Sequence, residues 1–314
     1  MTEKKMFSIK GSRKEKALVE HVAEVIFTVC AFFAVLAVIS ITAYMFINGT
    51  PALFQVGITD ILFGTVWKPA AAEPSFGILY IILTSIVGTA AAVVIGAPIG
   101  ILTAVFIEEI ASPRLAAIVK PAVELLAGIP SVIYGLLGIY LLNPLMYKVE
   151  LAIFRDSTTH RFTGGANLIS AIIVLAIMIL PTVINVSVSA LHAVPRNQKM
   201  ASLAMGASPI QTIFKVLIPH AKSGIISAVV LGTGRAIGEA MAITLVSGSS
   251  VNFPLPFNAV RFLTTAIVAE MGYASGLHRQ VLFTIGLVLF VFIMCINITL
   301  TRILKGEKKT DGGQ

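Results

Sequence analysis

The residues best placed to do chemistry lie in one decapeptide, GRAIGEAMAI, at positions 234–243. Arg235 and Glu239 stand four residues apart in it, inside the apolar run 221–247, with Gly234 and Gly238 beside them. An arginine at the centre of a bilayer costs about 2.5–3.5 kcal/mol on insertion scales. The pair is i, i+4 in a spanning helix, so the side chains share a face, but Arg precedes Glu, the weaker order against the helix dipole. Local stabilisation, about 0.2–0.5 kcal/mol, therefore does not explain it. Two readings remain: the pair lines a water-filled path for an anion, or it is a salt bridge buried between helices. In the first, the guanidinium stays charged and its fork of donors grips two oxygens of a tetrahedral oxyanion. Glu239 then holds the fork in place and keeps the site from binding its cargo too tightly. Gly234 and Gly238 form a GxxxG spacing that lets another helix approach Arg235.

A second candidate stretch is AGIPSVIYG, residues 127–135. Pro130 frees a backbone carbonyl and kinks its helix, and Gly128, Gly135 and Gly138 permit close approach by neighbours. Broken helices near the membrane midplane commonly line a substrate path, which makes Pro130 and Ser131 candidates for it; a purely structural kink is the alternative.

Other ionisable groups point to less. Glu108 and Glu109 are adjacent carboxylates, but at the end of an apolar segment they read as a solvated helix terminus. Glu124 reads as favouring the positive end of the next helix. The five histidines, His21, His160, His192, His220 and His278, are scattered without metal-ligand spacing. His278 and Arg279 open the last apolar segment, as interfacial anchors or as attractors of an arriving anion. Cys30 and Cys295 sit inside apolar runs and give no disulfide framework, zinc spacing or redox motif. The sequence contains no GxxxxGK[ST], so ATP-derived energy must come from a partner.

The elements that must position these groups are membrane helices. Of 314 residues, 57% are hydrophobic and 12% charged, with mean hydropathy +0.94. No single globular core hides that much apolar surface, so an all-α polytopic membrane protein is expected. Six segments reach the roughly 20 apolar residues needed to cross a bilayer, at 21–48, 76–107, 121–142, 167–191, 221–247 and 280–303. Backbone groups in lipid must pair internally, which makes these helices. The first span is too long for a signal-peptide core and lacks a cleavage site, so it is expected to be retained. Of 23 Lys and Arg, sixteen fall in the two tails and the second and fourth connections, six fall in the other three, and Arg235 remains. That asymmetry places both termini in the cytoplasm. The expected organisation is a basic tail at 1–20, a membrane domain at 21–303 and a tail at 304–314. The net charge of +8 is read as this cytoplasmic excess and as contact with lipid headgroups, not as a nucleic-acid surface. A cytoplasmic loop at 193–220 and an outer segment at 248–279, too short to span in its apolar part, are more than links.

Within the cytoplasmic loop, Met200, Ala201 and Ser202 precede Gly206, and Pro219 follows thirteen residues later. This spacing resembles the EAA signature of ABC importer permeases, with Met200 where the signature usually has Glu and with Val216, Ile218 and Pro219 at its end. Small side chains let another surface approach the backbone, and Gly206 permits a sharp turn. The resemblance implies a coupling helix that docks on an ATP-hydrolysing subunit. Residues 124–138, 234–242 and 277–297 further resemble the Pst phosphate permeases over about 63–302, and the second helix, from Phe76 and Gly77 to Gly100 and Ile101, resembles the PstC type more than PstA. That resemblance implies the type I importer permease fold and translocation of inorganic phosphate by alternating access in a bacterial or archaeal cytoplasmic membrane. It also implies a second permease of PstA type, two PstB-type ATPases that use ATP and magnesium, and a PstS-type phosphate-binding protein. No cofactor is expected on this chain. Molybdate or sulfate in place of phosphate, or an ion-coupled secondary transporter, are the alternatives.

Overall fold

The computed structural model describes residues 13–311, with side chains undescribed at 13–19, 300, 301 and 303–311. It is helical almost throughout. Helix α1 (Arg13–Val56) leads through the short α2 (Ile58–Phe63) to a two-residue antiparallel ribbon, β1 (Trp67–Lys68) and β2 (Ser75–Phe76), with Trp67 opposite Phe76. Helix α3 (Leu79–Val105) ends in a π-helical turn, Phe106–Ile110, followed by α4 (Pro113–Gly128) and α5 (Ser131–Leu137). A second π turn, Gly138–Leu142, carries α5 into α6 (Asn143–Ile153), and α7 spans Leu168–His192. Helices α8 (Arg196–Ala204) and α9 (Pro209–Thr212) precede a third π turn, Ile213–Leu217, and α10 (Ile218–Gly238). Helices α11 (Met241–Val246), α12 (Leu263–Glu270) and α13 (Gly276–Asp311) complete the chain.

Among the described residues, six segments are long and apolar enough to cross a membrane: Glu20–Val56, Leu79–Ile110, Ser131–Ile153, Leu168–His192, Pro209–Gly238 and Gly276–Thr299. Helices α3, α7 and α10 form the centre of the bundle. Its packing uses small residues where helices cross: Gly96 and Gly100 of α3 abut Ile179 and Val183 of α7, and Gly232 of α10 abuts Val183 as well. Such contacts replace the water-driven apolar packing that lipid cannot supply. Helix α1 packs against α13 and leaves its apolar stretch exposed, the distribution expected of a helix facing lipid.

Two expected spans are shifted. The segment 121–142 straddles a break at Ile129 and Pro130; the membrane-length helix begins at Ser131 and runs on to Ile153. Pro130 cannot donate the helical hydrogen bond and pushes the residue before it into extended backbone, and Ile129 is extended. The segment 221–247 is likewise two helices, because α10 stops at Gly238 and Glu239 is extended. Both expected tails carry helix. Helix α1 starts at Arg13, and α13 continues to Asp311 through Lys305, Glu307, Lys308 and Lys309, which are good helix formers. The rest of the expected tails, 1–12 and 312–314, lies outside the described residues. The apolar part of 248–279 forms the short α12, as its length requires.

Candidate functional site

Two helix breaks meet in the bundle. Helices α5 and α11 lie side by side, with Gly135 against Ala242 and Leu245, and Gly138 against Val246. Both numbers rise together along the contact, so the two half-helices run parallel and begin at the same depth. A Cβ at Gly138 would come 2.4 Å from Val246 Cγ1, so the approach depends on glycine.

Arg235 occupies the last turn of α10, directly before the break. A cation there meets the negative end of the helix dipole, worth about 0.3–1 kcal/mol toward the cost of its position. Its Nη1 donates to Thr182 Oγ1 of α7 at 3.4 Å, one residue past Pro181. Tyr134, in the first turn of α5, lies within the electrostatic reach of Arg235. The Tyr134 hydroxyl donates to the Leu126 carbonyl at 2.7 Å and so ties the two sides of the Pro130 break together. No side chain caps α5, which leaves the positive end of the 23-residue run Ser131–Ile153 beside this region.

Glu239 behaves differently from the sequence expectation. It does not share a helical face with Arg235, because α10 has ended before it, and among the described residues no ion pair joins the two. The buried carboxylate instead accepts the Ala242 N–H at 3.0 Å, in the first turn of α11, and its backbone carbonyl accepts Thr264 Oγ1 at 2.7 Å. Glu239 therefore stabilises the start of α11 and fixes it to α12. Among the described residues, no carboxylate pairs with the guanidinium. Gly234 and Gly238 also lack the close helix expected of GxxxG: among the described residues, and apart from their own helix backbone, no atom lies within 4 Å of a Cβ built at either, so this face is open.

The predicted coupling loop folds as a helical corner. Helix α8 ends where Gly206 turns at φ +86°, a left-handed value that glycine adopts freely. Ser208 then caps α9 in a reciprocal pair with Gln211, at 3.2 and 3.0 Å. Ser202 and Thr212 share a hydroxyl hydrogen bond of 2.9 Å that closes α8 onto α9. Pro219 lies just after the π turn Ile213–Leu217, inside the continuous helical segment Pro209–Gly238, where it cannot donate a helical hydrogen bond. No residue of α8 is buried, and Met200, Met205, Ile210 and Phe214 are exposed together with Ala201.

Beneath the corner, the adjacent carboxylates Glu108 and Glu109 are largely buried and paired, not a freely solvated helix terminus. They are 13% and 9% exposed and sit on the π turn that ends α3. Glu108 accepts from Lys120 of α4 at 3.0 Å and meets His192 Nδ1 at 2.6 Å; Glu109 accepts from Lys199 of α8 at 2.5 Å. The partners come from α4, α7 and α8, separations that sequence spacing does not reveal. A cavity of about 400 Å³ opens beside them, lined also by Arg196 and Met200.

The opposite end holds two further buried acids that sequence reasoning missed. Glu270 accepts from Arg261 and from Trp67 Nε1, and meets His278 Nε2 at 2.7 Å. His278 is thus committed to Glu270 and is not free to meet an arriving anion. Glu150, fully buried, meets His160 Nε2 at 2.8 Å and accepts the Thr163 N–H at 3.0 Å. The available signal was the presence of acids among apolar residues on the side poor in Lys and Arg.

Comparison with known proteins agrees with this architecture. A family model described as binding-protein-dependent transport system inner membrane component matches residues 96–307. The probable ABC transporter permease protein YqgH of Bacillus subtilis (strain 168) is 36% identical over 304 residues, 95% of each chain. The phosphate transport system permease protein PstC of Pasteurella multocida (strain Pm70) is 30% identical over 97% of this chain and 99% of its own. The probable PstC of Methanocaldococcus jannaschii is 32% identical over 87% of this chain and 90% of its own. Among solved structures, the MetNI methionine ABC transporter in inward facing conformations matches with a TM-score of 0.51 at 22% identity, covering 73% of this chain and 94% of that one, a likeness of fold. The chain belongs to the family of binding-protein-dependent transport system inner membrane components, multi-pass permease subunits of ABC importers with the type I permease fold.

Proposed function

We propose that this chain is the PstC-type permease of an importer that moves inorganic phosphate into the cytoplasm by alternating access. The observation that carries the reading is Arg235, an arginine within the bundle with no carboxylate partner among the described residues, at the level where α5 and α11 begin. A fixed guanidinium beside the positive end of a helix suits a doubly charged oxyanion, and relatives named PstC match nearly the whole chain. Pro130 and Ser131 set the start of α5, and Gly234 and Gly238 leave the Arg235 face open to a second permease of PstA type. Glu239 serves the path by holding α11 in place.

Permeases of this family work with ATPase and permease partners. In the proposed assembly, Met200, Ala201, Ser202 and Gly206 present α8 to one of two PstB-type ATPases, which use ATP and magnesium, and Pro219 starts the return helix. A PstS-type protein delivers phosphate to the end that carries Glu150 and Glu270. The excess of Lys and Arg supports a cytoplasmic position for both termini and for the 193–220 loop, with 248–279 outside. Arg235→Gln tests the reading: in an assembled complex, phosphate uptake should fall by about tenfold or more, the loss of one charge-assisted contact. Normal uptake by the assembled variant rejects Arg235 as a substrate contact.

A further inference from the structure

The π turn that ends α3, the last residue of α7 and lysines of α4 and α8 meet in one charged cluster that the transport path does not include. Helix α8 has no buried residue, so apolar packing does not anchor it to the bundle. Its main packing is against α9 and the π turn Ile213–Leu217, which belong to the same corner. Its attachment to α3 runs through Lys199 and Glu109, 2.5 Å apart, with the carboxylate 9% exposed.

Glu109 is well placed to transmit force. It lies on the π turn Phe106–Ile110, a wider turn than the α-helix makes, of the kind concentrated at functional sites. The adjacent Glu108 ties the same turn to α4 through Lys120 and to the end of α7 through His192. Helix α3 then runs along α7 and α10, and α10 carries Arg235 in its last turn. A displacement of α8 thus has a direct polar connection to the helix that packs against the substrate arginine's own helix.

We propose that the Lys199–Glu109 ion pair is the strut that passes movement of α8 to α3, with Glu108 fixing the receiving turn to α4 and α7. Both are positioning residues. The proposal rests on the importer reading above and adds the residues through which the ATPase acts on the bundle.

The test uses the full complex purified with its ATPase and reconstituted into proteoliposomes. Uptake of labelled inorganic phosphate and hydrolysis of ATP are measured in the same vesicles. Lys199→Gln and Glu109→Gln should each lower phosphate moved per ATP hydrolysed by about fivefold or more, the low end of a typical coupling energy. Lys199→Arg, which keeps charge and reach, should retain the ratio. The exchanged pair Glu109→Lys with Lys199→Glu should recover most of it, a rescue that a merely structural role of either side chain does not produce. A wild-type ratio in both Gln variants overturns the proposal, as does an exchanged pair no better than the single variants. Variants that lose the ATPase on purification, with the exchanged pair failing to regain it, also contradict a strut that transmits movement. ATP-independent uptake by the wild-type complex rejects the importer reading instead, so the two failures are distinguishable.

Discussion

Glu239 offers a sharp test of how the break in α10 works. If its carboxylate serves the start of α11, what matters is an oxygen within reach of the Ala242 N–H, 3.0 Å away. Glu239→Gln keeps an acceptor oxygen on a side chain of the same length and loses only the charge–dipole attraction, about 0.3–1 kcal/mol. Glu239→Ala leaves that N–H without its charged acceptor and costs about 1.5–3 kcal/mol. At about 2–4 °C for each kcal/mol, the midpoint of thermal unfolding of the purified complex should fall by roughly 3–12 °C for Ala and about 1–4 °C for Gln. Arg235→Gln combined with Glu239→Gln should be additive within about 0.5 kcal/mol, since the two side chains share no partner. The reasoning is refuted if Gln is as costly as Ala, or if the double variant shows a coupling above about 1 kcal/mol, the mark of an ion pair with Arg235.

Three further outcomes follow from the geometry. Gly206→Val should cost about 1–2 kcal/mol through its left-handed φ alone, because the surrounding space is open, and Gly206→Asn less; the yield of co-purified ATPase should fall in that order. Gly138→Val meets Val246 at 2.4 Å and should destabilise by about 1–3 kcal/mol in thermal unfolding, whereas Gly128→Ala, with nothing within 4 Å, should not. Glu270→Gln leaves the largely buried Arg261 without its carboxylate and should cost about 3–5 kcal/mol, seen as faster proteolysis within 248–262.

Much of this was legible in the sequence, for physical reasons that also mark the limits. Apolar runs report lipid exposure directly, so six spans and the short helix within 248–279 were accessible, as was the turn at Gly206. Pro130 announced its break, because proline removes a donor wherever it stands. The second break was hidden: nothing in GRAIGEAMAI forbids helix, and it is tertiary bonding of Glu239 to Ala242 and Thr264 that fixes the extended residue. For the same reason the i, i+4 relation of Arg235 and Glu239 was misleading. The pairs Glu109–Lys199, Glu108–His192 and Glu270–Trp67 join residues 90, 84 and 203 positions apart, and no local pattern encodes such partners.

The central claim is that this permease carries phosphate at the expense of ATP. The most direct measurement is uptake of radiolabelled phosphate into proteoliposomes that hold the chain with its co-purifying partners, with ATP supplied or withheld and with excess unlabelled molybdate or sulfate. The account predicts uptake that requires ATP and is indifferent to both competitors. Uptake without ATP, or uptake suppressed by molybdate or sulfate, would contradict it.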